Sequence, residues 1–206
     1  MHEMSELQVL SRAAAHLPPR TARGLTLPSL LFFTDPDRVP RPEAVVERLP
    51  PGAGVVYRAF GALDAVERGR RLREIAEANG LMLLVGAHPG LAEGIGAHGL
   101  HMPERLAAEI PRLRAEHPRW LITAAAHDLG AVAAAERAGA DAIVVSPVFA
   151  SNSPSAGQPM GVEGLRRCVQ ATSLPVYALG GVRASTVEAL TGSGVVGFAA
   201  VEALAV

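Results

Sequence analysis

The residues able to do chemistry in this chain are an uneven selection. The 206 residues include seven histidines, and all 19 basic residues are arginine, so there is no lysine. That removes Schiff-base chemistry, which needs an amine nucleophile, and the P-loop, whose lysine meets a nucleotide phosphate. Among the histidines, His127 ends the apolar run Trp120–Ala126 and directly precedes Asp128. An imidazole with a pKa near ~6.5 takes up and returns a proton at neutrality, which makes His127 the candidate general acid and base. The same residue also suits a hydrogen-bonded positioning role. His101, in the apolar run Ala97–Met102, and Asp35, after Pro28–Thr34, are candidates to line and orient a site. They also suit the plainer roles of packed histidine and capping aspartate. His88, His101 and His127 could converge on zinc or iron, but no carboxylate has a matching position and no metal site is assigned.

The elements that must position these residues follow from apolar patterning. Runs of Val, Ile, Leu and Ala recur at Pro28–Thr34, Gly54–Phe60, Leu81–Ala87, Ala97–Met102, Trp120–Ala126, Ala142–Phe149, Pro175–Gly180 and Val195–Val201. Most are nearly continuous rather than alternating, the pattern of parallel strands buried on both faces. Helix-patterned stretches lie between them, among them Ala62–Ala78, with Val66, Leu72 and Ile75 on one face, Pro103–Glu116 and Leu129–Ala138. Eight such alternations with short connections predict an α/β fold, a (β/α)8 TIM barrel, as one domain over residues 1–206. A doubly wound sheet is disfavoured because no Gly-x-Gly-x-x-Gly turn follows the first strand. Residues 1–26 read as an N-terminal extension whose extra helix, Glu6–His16, is expected to close the bottom of the barrel. The few residues after Val201 leave room for only a truncated last helix.

Composition narrows the partners. With 19 basic and 20 acidic residues the formal net charge is -1, and no basic stripe suggests nucleic acid. No apolar run approaches the ~20 residues that span a bilayer, and the N-terminus lacks an apolar signal core, so a soluble cytoplasmic protein is expected. The single cysteine, Cys168, excludes an internal disulfide framework. Homo-oligomerisation stays open. Arg112, Arg114, Arg166 and Arg167 read as solvated helix faces.

In such a barrel the C-terminal strand ends carry the site. They nominate Tyr57, Arg58, His101, Ser146, Ser151, Ser153 and Ser155 for substrate binding. The serines belong to the end of the sixth strand and the Pro- and Gly-rich connection that leaves it, expected to lie over the mouth. Gly180 and Gly181 after the seventh strand, with Val201 and Glu202 after the eighth, are placed to hold phosphate through backbone N–H groups. An ordinary strand-to-helix turn would use the same glycines.

The segments WLITAAAHD (Trp120–Asp128), GADAIVVSPVF (Gly139–Phe149), LPVYALGGV (Leu174–Val182), GAHGLH (Gly96–His101) and LFFTD (Leu31–Asp35) resemble, in order and spacing, the thiamine phosphate synthase and thiazole tautomerase superfamily. The resemblance covers roughly residues 27–204 and implies a phosphorylated thiazole as ligand. The synthase branch joins it to a pyrimidine diphosphate with Mg2+ on the departing diphosphate. Its pattern has Asn-Asp-Arg where this chain has Gly86-Ala87-His88, and a second aspartate where this chain has Leu106. Its Gln-x-Arg-x-Lys falls, without gaps, on Tyr57–Gly61, where only a shifted Arg58 offers a cation. A hard cation needs carboxylate or substrate oxygens, so these changes remove its protein anchor. The expectation is therefore a metal-independent, tautomerase-like proton transfer by His127, with no cofactor. The alternatives are a true synthase, to which Mg2+ would belong, and a non-catalytic binding barrel.

Overall fold

The computed structural model describes residues 4–153 and 157–205. Eight parallel strands close into a barrel in chain order: β1 (Leu30–Phe33), β2 (Gly54–Tyr57), β3 (Met82–Gly86), β4 (Gly99–Met102), β5 (Leu121–Ala126), β6 (Ala142–Val145), β7 (Val176–Ala178) and β8 (Gly197–Ala200). Closure comes from β8 pairing onto β1, with Ala199 opposite Leu31. Each strand falls inside one of the eight apolar runs, and their residues are almost all buried, as two-sided burial requires.

Successive strand residues face opposite ways. Leu31, Phe33, Val56, Leu84, Leu121, Ala142, Val144, Tyr177 and Ala199 form an inner cluster, while Leu30, Phe32, Val55, Tyr57, Leu83, Val85, Leu100, Ile122, Ile143 and Phe198 join an outer layer beneath the helices. Tyr177 lies inside the barrel, and its hydroxyl donates to the Pro28 carbonyl at 2.8 Å. Gly197 makes room for it, since a Cβ there would stand 2.4 Å from the Tyr177 ring.

The helices are α1 (Glu6–Ala15), α2 (Pro42–Val46), α3 (Ala65–Ala78), α4 (Pro89–Gly94), α5 (Ile110–Glu116), α6 (Leu129–Arg137) and α7 (Gly161–Gln170). A 3-10 turn, Glu104–Glu109, leads into α5, and two more, Val187–Leu190 and Glu202–Leu204, follow β7 and β8. Several starts are written locally. Ser5 and Gln8 form a reciprocal capping box on α1, and the Asp128 side chain accepts from the Ala131 N–H at 2.8 Å at the start of α6. In α3 the buried stripe is Gly69, Leu72 and Ala76; Val66, expected on that face, is exposed.

The N-terminal segment departs from expectation. Helix α1 does not close the bottom; it packs outside, against β8, β1 and the Glu202–Leu204 turn, burying Leu10 and Ala14. The bottom is closed by a two-stranded hairpin, Thr21–Ala22 with Leu25–Thr26, whose turn residues Arg23 and Gly24 both have positive φ. Ala22, Leu25 and Leu27 meet the inner cluster. Asp141, at the lower end of β6, fixes the hairpin by accepting from Arg23 Nε at 2.8 Å, from the Ile122 N–H at 2.8 Å and from Arg114. Arg114 is thus a partly buried tie rather than a solvated helix residue; its guanidinium also donates to the Trp120 carbonyl.

Gly197→Ala is expected to destabilise the chain by about 1–3 kcal/mol through overpacking against Tyr177. Denaturant unfolding checks this, and Tyr177→Leu in the same chain should recover part of the loss.

Candidate functional site

A cavity of about 500 Å3 opens at the C-terminal ends of the strands. Strand parity decides who enters it. With Val56 inside and Tyr57 outside, the next residue, Arg58, points inward. Tyr57 is therefore not a ligand residue: it is buried beneath α3, and its hydroxyl donates to the Ala65 carbonyl at 3.1 Å. Arg58, His101, His127, Ser146, Ser151, Ser153, Gly180, Gly181, Val201 and Glu202 all line the cavity. Ser155 lies outside the described residues.

His127 is exposed at the mouth, and its Nδ1 is 2.6 Å from the Ser146 carbonyl. A carbonyl only accepts, so Nδ1 carries the proton, and the neutral ring keeps its lone pair on Nε2. The Ser146 hydroxyl stands 3.3 Å from the same Nδ1. His101 is buried edge-on to the Phe33 ring, with Nδ1 3.0 Å from Thr123 Oγ1. Burial, reinforced by the charge of Arg58, brings its pKa down to about 3, so it stays neutral and suits packing rather than proton exchange. His88 caps α4, its Nδ1 accepting from the Leu91 N–H at 3.1 Å.

The wall after β1 and β2 holds a cluster centred on Asp35. Its Oδ1 accepts from the backbone N–H groups of Asp37 and Arg38, and its Oδ2 is 2.9 Å from Arg38 Nη2 and 3.3 Å from Arg58 Nη2. Burial opposes ionisation of Asp35, but the hydrogen bonds and charge of Arg38, with the charge of Arg58, outweigh it and hold the carboxyl below its usual range. Arg58 also donates from Nε to the Thr34 carbonyl at 2.7 Å and lies 5.6 Å from the Phe33 and 5.1 Å from the Phe60 ring centroids. Burial lowers its pKa to about 10, with Asp35 opposing and Arg38 adding to the fall, so it remains a cation at neutrality.

After β7 the cavity wall is made of backbone. Gly180 and Gly181 have φ of 93° and 65°; Cβ atoms there would stand 2.8 Å from Pro147 and 2.4 Å from the Ala150 carbonyl. Glycine is required for the backbone to lie this close. Thr186 Oγ1 staples the turn, donating to the Gly181 carbonyl at 2.8 Å and accepting from the Arg183 N–H at 3.0 Å. Among the described residues none accepts from the N–H groups of Gly180, Gly181 or Val182. Glu202 opens the last 3-10 turn, half-exposed, with its carboxylate 3.7 Å from Arg38 Nη1.

Four arginines line the cavity, Arg38, Arg58, Arg105 and Arg183, against one carboxylate, Glu202. Arg38, Arg105 and Arg183 do not stand out in the sequence, although each sits in the segment that leaves the C-terminal end of a strand, Arg105 in its 3-10 turn. Ala87, also in the lining, has φ of 59°, while Leu106 turns into the outer apolar layer. Among the described residues no group of three or more His, Cys, Asp or Glu stands where it could hold a metal ion.

Fold and site together define a parallel (β/α)8 barrel with an arginine-lined mouth. The sequence model for thiamine monophosphate synthase matches residues 30–204, and the chain belongs to that family. A thiamine-phosphate synthase of Chloroflexus aurantiacus is 31% identical over 145 residues, 68% of this chain and 64% of that one. The thiamine biosynthesis bifunctional protein ThiM/ThiE of Symbiobacterium thermophilum is 32% identical over 140 residues, 68% of this chain but only 29% of its own length. The solved thiamine phosphate pyrophosphorylase of Pyrococcus furiosus superposes with a TM-score of 0.73 at 27% identity, covering 84% of this chain and 85% of that one. These likenesses back a synthase-type function better than the tautomerase-like expectation. No helix among the described residues is long and apolar enough to cross a membrane.

Glu202→Ser is expected to tighten inorganic phosphate binding a few-fold at low ionic strength and less at high salt, because it removes a like charge and frees Arg38. Titration at two salt concentrations checks this. Folding stability is expected to fall as pH drops below about 6.5, since His101 binds a proton in the unfolded chain but not in the folded one. Denaturant midpoints across pH 4–7 should show a shallower decline in His101→Gln.

Proposed function

We propose that the chain binds a phosphorylated thiazole, its phosphate on the Gly180–Val182 backbone and Arg183, and joins it to a pyrimidine diphosphate in thiamine biosynthesis. The observation that carries this is the cationic arc around the mouth. Backbone N–H groups and Arg183 serve one anion after β7, while Arg38, Arg58 and Arg105 stand after β1, β2 and β4 for a second. In the joining step a thiazole ring nitrogen forms the bond to the pyrimidine methylene carbon as the carbon–oxygen bond breaks, and the diphosphate leaves with the electron pair. The protein's part is to align the two rings and stabilise the leaving charge with fixed cations. The Mg2+ of the family does not fit the residues present: positions 87 and 106 carry no carboxylate, and both oxygens of Asp35 are already engaged. No step is assigned to it.

A second reading is favoured by one observation. The Ser146 carbonyl fixes the His127 tautomer with Nε2 as a base, which suits the proton transfer of a thiazole isomerase.

Turnover of the pure protein tests both. Formation of thiamine phosphate from the two phosphorylated substrates is the expected result. Isomerisation of a thiazole carboxylate phosphate without the pyrimidine would support the second reading, and there His127→Ala should reduce the rate by about 10²–10⁴ with binding little changed. Phosphate-ester binding with neither turnover would leave a binding barrel.

A further inference from the structure

The disagreement between this site and a divalent cation has a structural counterpart in the Asp35 cluster. A leaving diphosphate needs concentrated positive charge beside it, and two guanidinium groups converge on one carboxylate after β1 and β2, at the same mouth where positions 87 and 106 offer no carboxylate for a metal. Arg38 Nη2 and Arg58 Nη2 both bind Asp35 Oδ2, at 2.9 and 3.3 Å, so one oxygen bridges the two side chains. Asp35 itself does not line the cavity, whereas both arginines do. The carboxylate therefore anchors the pair from behind.

Each arginine keeps donors in reserve. Arg58 is fixed by Thr34, Asp35 and the two phenylalanine rings, yet its Nη1 has no protein partner among the described residues. Arg38 Nη1 reaches only the Glu202 carboxylate, at 3.7 Å; its Nε also lacks a partner among them but is buried away from the open cavity. A guanidinium held this way is pre-oriented, and its planar fork matches phosphate oxygens. Gly86 contributes room: a Cβ there would stand 3.1 Å from the Arg58 side chain, so the asparagine of the family pattern would crowd it.

We propose that the Arg38–Asp35–Arg58 clamp takes the place of the divalent cation, and holds the diphosphate of the second substrate directly and without metal. This rests on the transferase reading above for the identity of the ligand. Arg38 exchanges its long contact to Glu202 for the incoming anion, and Asp35 acts as a positioning residue that keeps the forks aimed at the cavity.

The test is calorimetric titration of the full chain with inorganic pyrophosphate, once in EDTA and once with excess Mg2+. Binding in EDTA is expected, with Mg2+ changing the affinity by less than about threefold. Arg58→Gln and Arg38→Gln should each weaken binding in EDTA by about ten- to a hundredfold, the worth of a charge-assisted hydrogen bond. Arg58→Lys, which keeps the charge but loses the fork, should fall between; it and the wild-type titrations decide the matter if a glutamine variant unfolds. Pyrophosphate that binds only with Mg2+, or unchanged affinity in the arginine variants, would overturn the proposal. Its failure is separable from that of the transferase reading. Thiamine phosphate formed only with Mg2+, and no pyrophosphate bound in EDTA, sinks the clamp alone. Cation-free pyrophosphate binding without product formation keeps the clamp and sinks the transferase.

Discussion

A closed barrel admits only every second residue of a strand to its interior, and that constraint governs the rest of this molecule. It places Leu31, Val56, Leu84 and Tyr177 in one packed column and sends Tyr57 and Phe32 beneath the helices. Carried one or two residues beyond the strand ends, the same alternation delivers Arg58, His127 and Ser146 to the mouth. The side chains of the site are thus arranged by hydrophobic burial far below them. A one-residue slip of β2 would exchange a guanidinium for a phenol.

The electrostatics follow a repeated motif with two outcomes. At each end of the barrel one carboxylate holds two arginines: Asp141 binds Arg23 and Arg114 at the bottom, and Asp35 binds Arg38 and Arg58 at the top. The lower group ties the hairpin and α5 to the barrel, takes up the Ile122 N–H, and leaves the buried Arg114 Nε without a partner among the described residues, out of reach of any cavity. The upper group borders an open cavity and retains unengaged donors. The difference in function arises from what each cluster faces, since the residue types are the same. Arginine suits both places because its charge persists when partly buried and its donors lie in a fixed plane.

Much of this was legible in the sequence, for reasons that can be traced to particular residues. Strands buried on both faces must be apolar throughout, so all eight runs stand out without an alignment, and the capping signals Ser5 and Asp128 mark two helix starts. Less was legible where tertiary contact decides. Periodicity puts Val66 on the apolar stripe of α3, but at the first turn of the helix it is exposed and the stripe begins at Gly69. Arg114 reads as a surface residue until Asp141, 27 positions later, is brought beside it. The hairpin at Thr21–Thr26 is too short to show a pattern, and only the Arg23-Gly24 pair hints at its turn. In the site, the glycine pair and His127 announce themselves by type and position. Arg38, Arg105 and Arg183 sit among many other arginines, and nothing but the fold distinguishes them. Tyr57 and Arg58 were both nominated because strand parity depends on a register that composition does not reveal.

The two devices that complete the barrel, α1 and the hairpin, find partners much later in the chain. Arg23 waits for Asp141, and the apolar face of α1 waits for β8 and the Glu202–Leu204 turn, nearly the whole chain later. During synthesis β1 likewise presents one unpaired edge until Ala199 arrives to meet Leu31. Until β8 is made, the growing chain therefore carries an open sheet edge. Closure is a single event that joins β1 to β8, and a chain lacking β8 yields a sheet with two open edges instead of a slightly shorter barrel.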